Sequence, residues 1–309
     1  MVLFVAFLVF LGYGFDRFYL GAGDTMFPIG TIVALGAGSM SALSSYYSGD
    51  RAILLSTGAI PLGQALSAAT EDGARLKIRQ VDNVVEEMSI AAGIPKPKVF
   101  VLPDPDPNAF ATGRDPEHAS IAVTQGLLDM VTRDELQAVV AHELSHVRNL
   151  DIRLMTVIAA MVGAIALMAD WTGRGMRRSA GGGSSRRGRS RRGGGGAALL
   201  FAIWIVAMLL APIIGQTLAM MVSRRREFLA DASGAELTRN PLALASALDK
   251  IEHAHAPTTS MRRGTAHLCI ADPLGRAIGF RQGWLPDLLA SHPPMSSRIA
   301  ALRQMAYQQ

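Results

Sequence analysis

Residues 142–146 read His-Glu-Leu-Ser-His, two histidines four apart with a glutamate directly after the first. On an α-helix, positions i and i+4 project from one face. Two imidazoles placed there can reach one Zn²⁺ at about 2.1 Å each. Glu143 then flanks the open coordination position, where it can take a proton from a water that attacks a carbonyl. The alternative is a surface helix with two solvated histidines. A helix over 132–149 is expected without the motif. Thr132 stands three residues before Glu135, a capping box, and Leu136, Val139, Val140, Leu144 and Val147 make an apolar stripe.

A catalytic zinc site takes three protein ligands and leaves a fourth position open. Glu227, in the run Glu227-Phe228-Leu229-Ala230-Asp231, is a suitable third ligand. Asp231 lies at i+4 on the same helical face, where it can accept from the far nitrogen of a ligand histidine and fix its tautomer. Taken alone, the two acids read as neutralising Arg224, Arg225 and Arg226; paired with the histidine motif they read as ligand and support. A structural zinc site is closed by four side chains, and no fourth ligand is evident here.

The elements that must position these residues belong to a membrane protein. Half of the 309 residues are hydrophobic and 18% are charged, with a mean hydropathy of +0.25, too apolar for an average soluble domain. The net charge of +5 comes from one stretch. Residues 171–196 hold eight arginines and no acid, and without them the chain has 22 basic against 25 acidic residues. That Gly/Ser/Arg tract cannot build a packed core and is expected to be a solvated tether. A nucleic-acid-binding face would be spread over a folded surface, so no nucleic-acid partner is expected. Cys269 is the only cysteine, which excludes an internal disulfide and reads as a small buried hydrophobe.

Residues 1–15 are apolar and lack the basic start of a secretory signal. Residues 25–49 are uncharged and long enough to cross a bilayer, which makes 1–50 a membrane hairpin. Residues 51–150 read as the first part of a soluble domain. They hold a helix over 76–92 with a stop at Gly93, strands at 98–102, 108–112 and 119–124, and the His-Glu-x-x-His helix. Residues 151–222 form a second hairpin around the Arg/Gly loop, and 223–309 form a helical second part that carries Glu227. Two spans between His146 and Ser223 put both soluble parts on one side. Arg224–Arg226 at the last span make that side cytoplasmic by the positive-inside rule, although the arginine tract then lies outside, against that rule.

The 142–149 run with Asp134-Glu135-Leu136, the Asn108-Ala109-Phe110-Ala111-Thr112-Gly113 run, the Glu227–Asp231 box, and His292-Pro293-Pro294 with Arg298-Ile299 together resemble the HtpX-like membrane zinc metalloproteases, relatives of the CAAX prenyl proteases. The match covers nearly the whole chain in order, and departs from the pattern in a short N-terminal segment and the long Arg/Gly tract. It implies a mainly α fold with a small β-sheet, two hydrophobic hairpins and a gluzincin-like zinc protease domain. It also implies one Zn²⁺ per chain on His142, His146 and Glu227, with Glu143 as catalytic base and Asp231 behind a ligand. The resemblance makes Asn108, Ala109 and Phe110 part of an edge that pairs with substrate backbone, and puts His292 and Arg298 near the metal to stabilise an oxyanion. The expected activity is endopeptidase cleavage of misfolded or damaged membrane proteins, in the bacterial inner membrane and facing the cytoplasm. The alternative is a membrane scaffold with a structural metal and an Arg-rich interaction loop.

Overall fold

A computed structural model of the chain describes residues 2–18, 28–154, 224–254, 260, 268–271 and 293–307. It divides into two compact units, Met1–Ser45 with Val157–Thr217, and Tyr46–Thr156 with Leu218–Gln309. The expected second hairpin, with its 171–196 loop, lies outside the described residues from 155 onward, as does His292.

In the first unit, helix α1 (Val2–Phe18) runs antiparallel to the start of α2 (Ile29–Thr57). The two approach closely because both are glycine at the crossing: a Cβ on Gly12 would stand 2.5 Å from the Gly30 carbonyl oxygen. Asp16 satisfies the start of α2. Its carboxylate accepts from the Gly30 and Thr31 N–H groups and the Thr31 hydroxyl, each at 2.7 Å, the role of a cap for orphan donors at a helix start. Ile29, Ile32, Val33, Leu35, Met40 and Leu43 are exposed along α2. Among the described residues α2 is the one helix long and apolar enough to cross a membrane. It continues past Gly49 through Asp50 and Arg51 to Thr57, because Ile53 and Leu54 find burial in the second unit.

The second unit is mostly helical around a four-stranded mixed sheet of order β1-β2-β4-β3. Strands β2 (Lys98–Leu102), β3 (Ala109–Thr112) and β4 (Ser120–Thr124) fall where alternation and turn residues predict them; the two-residue β1 (Ile60–Pro61) is too short to leave a signal. β2 and β4 pair in parallel, Val99 opposite Ile121 and Val101 opposite Val123, and β3 pairs antiparallel with β4 on the far edge. Helix α3 is Leu62–Ala68 and α4 is Asp72–Ala92, its stripe of Ile78, Val81, Val84, Val85 and Met88 buried. Gly93 ends α4 at φ +68°, a left-handed conformation that glycine adopts without a Cβ clash. Helix α5 is Gln125–Met130.

Helix α6 (Arg133–Arg148) is the centre of the unit, buried along nearly all its length. Thr132 caps it, and the Thr132/Glu135 capping box is present as read from the sequence. Ala138, Val139, Val140, Ala141, Leu144 and Val147 are fully buried. Around α6 pack α4, β3, helix α7 (224–238) and helix α8 (Pro241–Glu252), which in turn packs on α9 (Met295–Ala306). α7 comes close enough to α6 that a Cβ on Gly234 would lie 3.0 Å from the His142 backbone nitrogen. A larger residue at 234 would push α7, and the acids on it, away from the histidines.

Candidate metal centre

The C-terminal half of α6 places His142 and His146 one turn apart, and α7 delivers Glu227 to them. The two Nε2 atoms are 3.3 Å apart. Glu227 approaches His142 Nε2 to 3.7 Å through Oε2 and His146 Nε2 to 3.6 Å through Oε1. Donors on the corners of a tetrahedron, each about 2.1 Å from its centre, stand about 3.4 Å apart. The three side chains therefore already have the spacing of one metal ion's ligands. His142, Glu143 and Glu227 are buried, while the His146 side chain keeps 11% of its surface, so the centre opens to solvent on that side.

Behind each imidazole stands a carboxylate. Asp231 Oδ1 is 3.0 Å from His142 Nδ1, and Asp151 Oδ2 is 3.1 Å from His146 Nδ1. A carboxylate at Nδ1 favours the tautomer that carries its proton there, and leaves the Nε2 lone pair for a metal. Asp231 is held in turn by Arg298, which is wholly buried. Its Nε and Nη2 donate to the two Asp231 oxygens at 2.8 and 2.7 Å, and its Nη1 donates to the Ile270 carbonyl at 2.8 Å. The same guanidinium lies 3.2 Å from Glu227 Oε2 and 3.5 Å from His142 Nε2.

Buried carboxyl groups crowd the centre. One guanidinium serves both Asp231 and Glu227, and Glu143 adds a third buried carboxyl beside them. Buried charge is tolerated when paired or when it coordinates a metal. Two imidazoles and one carboxylate at this spacing fit a divalent metal with a position left open.

The electrostatics follow from this arrangement. Burial pushes the His142 imidazole below its ordinary range, against the opposing pull of Asp231. Burial also disfavours charge on His146, but the Asp151 hydrogen bond and the charges of Glu227 and Glu143 outweigh it, and the pKa rises to about 9. Glu143 is pushed up to about 7, by burial first and by Glu227 next; His146, the Ala111 backbone N–H and Arg298 act the other way. Asp231 falls to about 2, because Arg298 and His142 overcome the effect of burial.

The Asn108–Phe110 stretch is also buried beside the helix. The outer edge of β3 faces two groups. The Ala111 N–H serves Glu143, and the Ala109 carbonyl accepts from Ile270 N–H at 2.9 Å. Asn108 Nδ2 donates to the Ala271 carbonyl at 3.0 Å, so the 268–271 segment covers the Asn108–Ala109 end of that edge. Buried Cys269 belongs to this segment. His118 is exposed and 2.6 Å from Asp115, and His253 is exposed at a helix end; His255 and His267 lie outside the described residues. Sequence reading did not find Asp151 or its partner Arg226. Asp151 follows the end of α6, where helical periodicity no longer applies, and its only signal is an acid shortly after a ligand histidine.

Comparison with known proteins agrees with this geometry. The family model for peptidase family M48 matches residues 75–306. A Protease HtpX homolog of Caldanaerobacter subterraneus subsp. tengcongensis is 40% identical over 267 residues, covering 84% of this chain and 80% of that protein. One from Tropheryma whipplei is 39% identical over 315 residues, covering 100% and 95%. Among solved structures, S. mikatae Ste24p superposes with a TM-score of 0.50 at 18% identity over 96% of this chain; the chain spans 62% of that protein's length, and the likeness is one of fold. The chain belongs to peptidase family M48 and is a metalloprotease of its HtpX-like group.

Proposed function

We propose that the chain is a zinc-dependent endopeptidase that cuts misfolded or damaged membrane proteins as part of membrane quality control. The observation that carries the reading is the convergence of His142, His146 and Glu227 on one point with Glu143 beside it in the same buried wall. A bound Zn²⁺ would supply a Lewis acid for the scissile carbonyl and for the attacking water. Glu143 takes the proton of that water, for which a carboxyl near pKa 7 is suited at neutral pH. The protonated Glu143 then passes that proton to the leaving amine as a general acid. Asp231 and Asp151 keep both imidazoles presenting Nε2, and Arg298 holds Asp231 and Glu227 in place through its fork. His292 is proposed to help hold the developing oxyanion.

Substrate is proposed to lie along β3 as an added strand, so that the main chain gives affinity with little demand on sequence. A strand laid there meets the chain's own 268–271 segment at Ala109 and has to share or displace it. The exposed apolar face of α2 and its two tyrosines, Tyr46 and Tyr47, support a membrane-bound enzyme. Arg114 lies 5.7 Å over the Tyr47 ring and Arg153 5.2 Å over Tyr46, the aromatic and basic composition of a bilayer interface. The proposed setting is the bacterial inner membrane, with both hairpins spanning, the centre facing the cytoplasm, and lipid and membrane proteins as partners. The test is cleavage of an unfolded protein by the purified full chain and its Glu143→Gln form, each loaded with Zn²⁺. Cleavage by the first alone, at equal zinc content, supports the reading. Equal cleavage by both refutes it.

A further inference from the structure

Helix α6 ends at Arg148 with Asn149 as its cap, and Leu150 then takes φ +60°. A left-handed leucine is costly for an L-residue with a bulky side chain. It turns the chain so sharply that Asp151, at the start of the next helical turn, folds back beneath His146. Asp151 is 3% exposed, and its two oxygens have different partners. Oδ2 faces His146 Nδ1 at 3.1 Å, and Oδ1 accepts from Arg226 Nη1. Arg226 directly precedes Glu227. One carboxylate is thus linked to one metal ligand through its own hydrogen bond and to another through the adjacent residue. The same pair stands at the two ends of the 155–223 stretch that separates the ligands in sequence.

We propose that Asp151 is a positioning residue of the metal centre, and that with Arg226 it forms a clasp fixing the His146 ring and tying the departure of the chain after α6 to its return at Glu227. This rests on the metalloprotease reading above. The two histidines are held by different means. His142 has its carboxylate on α7, braced by Arg298 from α9. His146 depends on a carboxylate just past the end of α6, kept in place by the Leu150 turn and one guanidinium. Loss of the clasp would leave His146 free to rotate or change tautomer while His142 stayed in place.

The test uses the full chain in detergent and reads Zn²⁺ affinity by chelator competition and the visible spectrum of the Co²⁺-loaded protein. Asp151→Asn is expected to lower zinc affinity by roughly 10- to 100-fold, to change the Co²⁺ bands, and to lower kcat with little change in KM. Arg226→Gln is expected to do the same to a smaller extent, since His146 keeps its carboxylate. The exchange Asp151→Arg with Arg226→Asp restores an ion pair between the two positions but turns a guanidinium towards His146. Under the proposal it folds and binds zinc weakly, which also settles the matter should Asp151→Asn fail to fold. An exchanged chain with wild-type zinc affinity would show a purely structural clasp and overturn the proposal. Wild-type affinity and an unchanged Co²⁺ spectrum in Asp151→Asn would overturn it alone. A wild-type chain that binds no zinc would remove the metal reading and this inference together.

Discussion

Helix α6 carries two buried polar clusters, one at each end, and they are built on opposite principles. At its start, Glu135 is 5% exposed yet fully answered: it accepts from the Thr132 backbone N–H and Lys250 Nζ through Oε2, both at 2.7 Å, and from the Ser246 hydroxyl through Oε1 at 2.7 Å. One carboxylate has one cation and enough donors to close the set. At its end, the Nε2 atoms of His142 and His146 face each other and Glu227, and the Arg298 guanidinium is divided between two carboxylates. The first cluster joins α6 to α8 and needs nothing more. The second has its three ligand side chains converging on one point, which is the condition for holding a cation. Both ends are buried and polar; what separates structure from chemistry is whether the side chains close on one another or converge on a shared point.

The sharpest way to break the contrast is to neutralise the carboxyl that sits beside the open end without touching the ligands. Glu143→Gln should lower cleavage by about 10²–10⁴-fold, the range of general acid–base contributions, with bound zinc unchanged by metal analysis. A variant that keeps its activity would make Glu143 part of the scaffold, like Glu135. Next in size is Asp231→Asn, which leaves all three ligands but weakens the support behind His142. Zinc affinity should fall roughly 10- to 100-fold, read by chelator competition. A smaller effect than that of Asp151→Asn would mean that Arg298, left without its main acceptor, holds His142 less than its geometry implies. Third, Gly234→Val forces a side chain into the 3.0 Å gap above the His142 backbone. Overpacking of this kind costs about 1–3 kcal/mol. The thermal midpoint and zinc affinity should fall together, since α7 carries Glu227 and Asp231; a loss of stability at constant affinity would show that the two helices move as one.

Much of this site was legible because it is local. The capping box, the i,i+4 histidines and the i,i+4 pair Glu227 and Asp231 depend only on helical periodicity, and the helices formed where that periodicity runs. Strands β2, β3 and β4 were legible from β-branched runs between turn residues, and the mainly α fold with a small sheet followed. What sequence could not supply were contacts set by a single backbone turn or by tertiary pairing. Asp151 reaches His146 only because Leu150 adopts a positive φ that its type does not advertise. Arg226 read as one of three membrane-flanking arginines, but its partner is Asp151, 75 positions away in sequence. Arg298 was expected near the metal from a motif, and the structure fixes its fork on Asp231 and Ile270. The cover of the β3 edge by 268–271 rests on main-chain bonds, which no residue type specifies.

The mildest test lies at the closed end. Glu135→Gln keeps the shape of the side chain and removes its charge, weakening the bonds to Lys250 and Ser246. Hydrogen bonds to charged groups contribute about 1.5–3 kcal/mol each, but Lys250 is partly exposed and water offsets part of its loss. A net loss of about 1–2 kcal/mol is expected, seen as a lower thermal midpoint with cleavage per folded molecule unchanged. The pH dependence gives the sign. Burial works to raise the Glu135 pKa, but Lys250, Ser246 and the Thr132 N–H outweigh it and the folded-state value lies below the ordinary 4.5. The charged pair therefore stabilises the fold fully above that ordinary value, and its contribution is lost as pH falls through the lower folded-state value. The stability gap between wild type and Glu135→Gln should be constant near neutrality and close on acidification. A gap that widened on acidification, or a fall in cleavage that followed it at neutral pH, would mean that the two ends of α6 are coupled and that the closed cluster is part of the working site.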